Sequence, residues 1–139
     1  MGETLVRHSG ACHCGRIRFE IDAPAQIDAV ECNCSICSKS GFLHLIVPQS
    51  RFRLLQGSDE VTIYKFNTGV AQHLFCKTCG IKAFYIPRSN PDGYSVNVRC
   101  LVPATIRQIN VSGFDGKNWE AHGAELARLS LDHERCEPS

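Results

Sequence analysis

The placement of cysteine constrains this chain more than any other feature. Nine cysteines occur, and seven of them fall in three tight motifs. These are Cys12-His13-Cys14-Gly15, Cys32-Asn33-Cys34-Ser35-Ile36-Cys37 and Cys76-Lys77-Thr78-Cys79-Gly80. In an extended chain residues i and i+2 point to one face, so a CxC aims both sulfurs at one ion. In a CxxC the chain turns between the two thiolates, and a following glycine such as Gly80 admits positive φ. Tetrahedral zinc holds sulfur at about 2.3 Å, which sets neighbouring sulfurs roughly 3.8 Å apart, and both spacings allow that.

The seven divide into four plus three. Cys12 and Cys14 with Cys76 and Cys79 make a closed four-cysteine site, the arrangement of a structural zinc that contributes folding free energy directly. Cys32, Cys34 and Cys37 make three ligands and an open position, the mark of a catalytic zinc. Two zinc ions per chain are therefore expected. The competing arrangement closes the second site with Cys100 or a histidine. Ordinary free thiols, disulfides, a CxxC redox pair at Cys76 and Cys79, and an iron–sulfur cluster each fit the spacings less well.

The rest of the sequence agrees with an intracellular setting. Met1 to Gly10 lacks the apolar segment of a secretory signal, and Val6 stands where a myristoylation motif needs Ser or Thr. No apolar run approaches the roughly 18 residues needed to cross a bilayer. Cytoplasm or nucleus follows, and in a reducing compartment clustered cysteines mean metal or catalysis more often than disulfides. A length of 139 residues suits one domain. Hydrophobic residues at 43% and charged residues at 21% support a packed core. The net charge of +1 gives no general argument for nucleic acid or membrane binding.

Short runs with β character recur. Arg16 to Asp22 alternates strictly, with Ile17, Phe19 and Ile21 on one face. Phe42–Val47, Phe52–Leu55, Val61–Phe66, Gln72–Phe75, Ile81–Ile86 and Tyr94–Val98 are further predicted strands, separated by Gly, Asn and Pro turns. One helix is predicted late, capped by Asn118 and carrying Trp119, His122, Leu126 and Leu129 near one face. The expectation is one mainly β, zinc-stapled antiparallel domain over 8–130 with a C-terminal helix, and a polar tail over 131–139. His13 should point away from any metal beside it. His44 and His73 read as packed or hydrogen-bonded histidines, Cys100 as a small buried hydrophobe and Cys136 as an exposed thiol.

The stretches Gly10 to Gly15, Cys32 to Cys37 and Phe75 to Gly80 resemble the glutathione-dependent formaldehyde-activating enzyme family. The likeness is greatest to its centromere protein V branch, through Phe66-Asn67-Thr68, Ala71-Gln72-His73 and Pro87-Arg88-Ser89-Asn90-Pro91. It covers about residues 8 to 120. It implies a fold of the β-tent kind, with Cys12, Cys14, Cys76 and Cys79 at the structural zinc and Cys32, Cys34 and Cys37 at the second, catalytic-type zinc. It also implies carbon–sulfur lyase chemistry, the joining of glutathione to formaldehyde as S-hydroxymethylglutathione.

Two functions are weighed. As an enzyme, the chain would bring a small thiol such as glutathione to the open position at Cys32, Cys34 and Cys37 as a thiolate, ready to attack an aldehyde. Arg88, Arg99, Lys39 and Lys77 are candidates for holding the carboxylates of glutathione. As a zinc-stabilised binding module associated with chromatin or cytoskeleton, it would carry two structural ions and no catalysis. The balanced charge and the absence of a basic run weigh against nucleic acid as its partner.

Overall fold

The structure, a computed structural model, describes residues 4–66, 69, 71–87, 90 and 92–114. The expected helix from Asn118, the tail over 131–139, Cys136 and Arg88 lie outside the described residues. Among the described residues no helix is long and apolar enough to cross a membrane.

The chain is mainly β, as the alternation predicts. Strand β1 (Leu5–Ala11) pairs antiparallel with β2 (Arg18–Pro24), which pairs on its other edge with β5 (Phe52–Gln56). Phe19 and Ile21 on β2, with Ile17 just before it, point inward and are fully buried. A second sheet runs in the order β10 (Gln108–Phe114), β3 (Gln26–Cys32), β4 (Leu43–Pro48), β9 (Gly93–Asn97) and β8 (Phe84–Tyr85). Strands β6 (Val61–Tyr64) and β7 (His73–Cys76) form a separate hairpin-like pair.

The core lies where the two larger sheets meet. Phe19 of β2 stacks on Phe52 of β5 with centroids 5.6 Å apart, and Phe52 stacks on Tyr94 of β9 at 4.1 Å. Phe84 of β8 closes on Phe19 edge-on at 5.9 Å. Such offset and edge-on pairs add to the burial of their own area. Ile27, Ala29, Val47 and Val96 fill the space around them.

Several features differ from expectation. β1, β3, β10 and the short helix α1 (Ser35–Ser40) are not among the predicted elements. The inward positions of β1 include His8 and Gly10, which do not register as apolar. His8 is nonetheless fully buried, with Nε2 donating to the Pro24 carbonyl at 3.0 Å and Nδ1 accepting from the Thr105 hydroxyl at 2.7 Å. β10 pairs with β3 in parallel, so the antiparallel expectation fails for this one pair. Parallel partners need a long crossover, and most of the chain lies between these two. The predicted strand over Ile81–Ile86 is pairing-competent only at Phe84–Tyr85, with a bridge from Ile86 to Gln72.

Candidate metal centre

Two turns of similar build bring the first four thiols together. In one, the Cys12 N–H donates to the Ile17 carbonyl at 3.1 Å and the Gly15 N–H to the Cys12 carbonyl at 3.2 Å. In the other, the Cys76 N–H donates to the Ile81 carbonyl at 3.1 Å and the Gly80 N–H to the Cys76 carbonyl at 2.8 Å. Gly80 sits at φ +76°, the left-handed region its motif predicts, and Gly15 takes the same conformation at φ +82°. The sulfurs of Cys12, Cys14, Cys76 and Cys79 all lie within 4.8 Å of one another. Cys12 to Cys14 is 3.7 Å and Cys14 to Cys76 is 3.6 Å, close to the edge of a zinc–thiolate tetrahedron.

Backbone donors surround these sulfurs. The Ile17 N–H points at Cys12 Sγ, and the Thr78 and Cys79 N–H groups point at Cys76 Sγ, each at 3.4 Å. Burial pushes the Cys12 thiol up, while the Arg16 backbone holds Cys14 down. At Cys79 burial works upward but is outweighed by backbone hydrogen bonding, and the thiol falls to about 6. Donors aimed at sulfur favour the thiolate, which is the form that binds metal.

The second cluster is built from one short stretch. Cys32 ends β3, Cys34 caps α1 and Cys37 lies inside it, with all three sulfurs within 4.8 Å of one another. The segment is anchored by the Asn33 N–H on the Phe114 carbonyl at 3.2 Å and the Ser38 N–H on the Cys34 carbonyl at 2.9 Å. Gly41, at φ +68°, ends the helix with its N–H on the Cys37 carbonyl. Crowding separates the thiols. Hydrogen bonds from Cys32 and Cys37 hold Cys34 far below the usual thiol range, while Cys32 and Cys34 push Cys37 upward.

His44, at the start of β4, reaches this cluster. Its Nε2 is 3.1 Å from Cys37 Sγ, and its Nδ1 is 2.9 Å from Ser95 Oγ and 3.3 Å from the Tyr85 hydroxyl. The ring is thus held between the Cys37 sulfur on one nitrogen and the Ser95 and Tyr85 hydroxyls on the other. Burial pushes His44 down to about 4, so the ring stays neutral. It is a hydrogen-bonded histidine, as the sequence suggests. Among the described residues the cluster that could hold an ion contains the three cysteines without it.

Behind His44 stand His73, a packed and hydrogen-bonded histidine as the sequence suggests, and two groups that sequence reasoning did not single out, Lys82 and Tyr85. Lys82 Nζ lies 3.9 Å from the centre of the buried Tyr85 ring and 5.0 Å from that of Phe42. The same nitrogen is 2.7 Å from His73 Nδ1. His73 stacks flat on Tyr85 at 4.9 Å and on Phe66 at 5.4 Å. Burial pushes Lys82 down to about 8, opposed by the charges of Cys37, Cys34 and Cys32, and burial and Lys82 push His73 down to about 4. A lysine in a strand-like run reads as solvent-facing, so nothing in the local pattern marks Lys82.

The other sequence candidates separate cleanly. His13 is exposed, as expected. The pKa of Cys100 is raised by burial and by Cys12 and Cys79, which places it beside the first cluster rather than closing the second. Lys39 and Lys77 are exposed, and Arg99 donates from Nε to the Gly41 carbonyl at 3.2 Å.

Fold and site together define a small β domain with two thiol clusters, each able to hold a metal ion. The family model described as glutathione-dependent formaldehyde-activating enzyme matches residues 7–110. The chain belongs to the glutathione-dependent formaldehyde-activating enzyme family. It is similar to a protein of Halomonas elongata named "Putative glutathione-dependent formaldehyde-activating enzyme", at 28% identity over 78 residues. That match covers 50% of each chain, so the chain spans about half the length of this curated relative. It is also similar to the crystal structure of a Rhodobacter sphaeroides protein, at 34% identity and TM-score 0.62, covering 75% of this chain and 99% of that one.

Proposed function

We propose that this chain is a zinc-dependent carbon–sulfur lyase/synthase that joins a small thiol to an aldehyde and reverses that addition. Glutathione, formaldehyde and their adduct S-hydroxymethylglutathione are the substrates the family favours. The observation that carries this reading is the inequality of the two clusters, four sulfurs in one and three in the other.

Cys12, Cys14, Cys76 and Cys79 would hold a structural zinc, and Cys32, Cys34 and Cys37 a second, catalytic one. The donor set fits, since clustered thiolates select thiophilic ions and zinc foremost. What the second ion supplies when bound is a coordinating thiol kept as thiolate at neutral pH. The protein's own groups do the rest. The His44 ring steadies the Cys37 sulfur through Nε2, and Ser95 and Tyr85 fix that ring through Nδ1. Tyr85, packed on Phe42 and His73, forms the apolar backing of His44. The reaction needs no redox change, only the making or breaking of one carbon–sulfur bond and the movement of one proton.

The test is the exchange rate among formaldehyde, glutathione and S-hydroxymethylglutathione, read by magnetisation-transfer NMR. The intact protein should accelerate exchange beyond the spontaneous rate, and a sample stripped of its labile metal should not. Equal rates with intact protein, stripped protein and no protein would overturn the reading.

A further inference from the structure

We propose that Lys82 is a further catalytic residue of this reaction, its ammonium donating a hydrogen bond, and then a proton, to the aldehyde oxygen as the carbon–sulfur bond forms. The proposal rests on the thiol–aldehyde reading of the three-thiol cluster.

The placement of Lys82 is costly and therefore informative. Lysine ordinarily keeps its charged head in water along an apolar stem. Here Nζ lies on the face of the Tyr85 ring at 3.9 Å and 5.0 Å from the centre of Phe42, with a hydrogen bond to His73 Nδ1 at 2.7 Å. None of its contacts among the described residues is a carboxylate. The ring faces offset part of the desolvation cost, and the thiol cluster supplies the negative charge that the ammonium feels. An ion pair with Asp or Glu would have satisfied a purely structural lysine more cheaply.

The chemistry explains why a cation belongs there. An ammonium has three donors. One is spent on His73, and the ring faces attract the charge without accepting a linear hydrogen bond. Two donors remain for a substrate oxygen, and contacts run from Lys82 over the Tyr85 ring, from the Tyr85 hydroxyl to His44, and from His44 to Cys37. In the addition, a sulfur lone pair forms the carbon–sulfur bond while the carbonyl π pair moves onto oxygen. Lys82 gives that oxygen a proton, leaving a hydroxymethyl thioether and a neutral amine, and water re-protonates the amine. In the reverse direction the neutral amine takes the hydroxyl proton as the carbon–sulfur bond breaks. A fixed donor aimed where negative charge develops is the strongest device an active site has for such a step.

The titratable groups acting on Lys82 are the three thiols through their charge, His73 through its hydrogen bond and Tyr85 through its ring, with His44 behind Tyr85. His73 stays neutral and can only accept from Lys82. Lys82 is half-buried, beside the exposed aromatics Tyr64 and Phe66 that pack on each other and on His73.

Lys82→Met and Lys82→Arg in the metal-loaded protein test this. The readout is the initial rate of S-hydroxymethylglutathione formation above the spontaneous rate, with metal content and circular dichroism measured on the same samples. Lys82→Met should lower the protein-dependent rate by about 100-fold or more, the usual contribution of a general acid, with two metal ions retained. Lys82→Arg, which keeps the positive charge but gives up no proton, should lose most of the protein-dependent rate as well. A Lys82→Met rate within about threefold of wild type at equal metal content overturns the proposal, since a general acid contributes far more. Should Lys82→Met fail to fold, a Lys82→Arg protein with wild-type rate overturns it equally, since a guanidinium cannot supply the proton. A wild-type protein that accelerates nothing removes the thiol–aldehyde reading and this one together. Acceleration that survives at Lys82→Met removes only this one.

Discussion

Cys34 and Cys37 are three residues apart, yet the thiols around them hold Cys34 low and push Cys37 up. Three crowded sulfurs titrate as one coupled group and cannot all ionise at equal cost. Replacing Cys34 by Ser removes the thiol that its neighbours hold lowest. The expected result is a protein of unchanged circular dichroism that binds one metal ion fewer and has lost thiol-dependent turnover. Elemental analysis together with the NMR exchange rate checks this, and unchanged turnover would sink the catalytic assignment. The seven clustered thiols were legible from spacing because a ligand pair needs only local chain geometry. Lys82 and Tyr85 were not, nor was their meeting with His73, because it depends on β7 and β8 lying side by side near β4.

At the scale of elements, the pairing of β1 with β2 shows what alternation captures and what it misses. β2 announces itself through Phe19 and Ile21. β1 hides because its inward positions include His8, satisfied by Thr105 and Pro24, and Gly10, which sits opposite Phe19. A Cβ on Gly10 would lie 2.3 Å from the Phe19 ring, which is itself packed on Phe52 and Phe84. Gly10→Ala should therefore cost roughly 1–3 kcal/mol through overpacking, since the ring has nowhere to go. Urea unfolding would show this as a lower midpoint with an unchanged slope. A neutral outcome would mean the ring can shift. β10 escaped notice for a different reason. All but its last residue are exposed, so it carries no half-buried pattern, and its parallel partner β3 lies far back in the chain. Helix α1, at six residues, is too short for any period to show.

At the scale of the whole molecule the two thiol clusters do different mechanical work. The first joins a turn after β1 to a turn after β7, and Cys14 and Cys76 are 62 residues apart. Closing so long a loop removes far more disorder from the unfolded chain than closing one turn does. Structural zinc sites release on the order of 10 kcal/mol or more, comparable to the whole stability of a small domain. Cys12→Ser or Cys79→Ser should therefore abolish cooperative unfolding, as seen by thermal circular dichroism, whereas Cys34→Ser should leave it. Folded Cys12→Ser protein with full metal content would refute the division into four and three. The second cluster spans Cys32 to Cys37 alone, so its loss leaves the larger frame intact.

Spacing in the sequence was sufficient for the thiol clusters, the glycines at their turns, the β class and the strongest strand, because each depends on contacts within a few residues or on a period of two. Other features needed the folded chain. The parallel placement of β10 follows from a crossover that spans most of the molecule. The burial of His8 depends on Thr105, and the gathering of Lys82, His73 and Tyr85 behind His44, which touches Cys37, depends on three separate strands and the segment before β8. These are contacts between residues distant in sequence, and their free energy exists only once the chain has closed on itself.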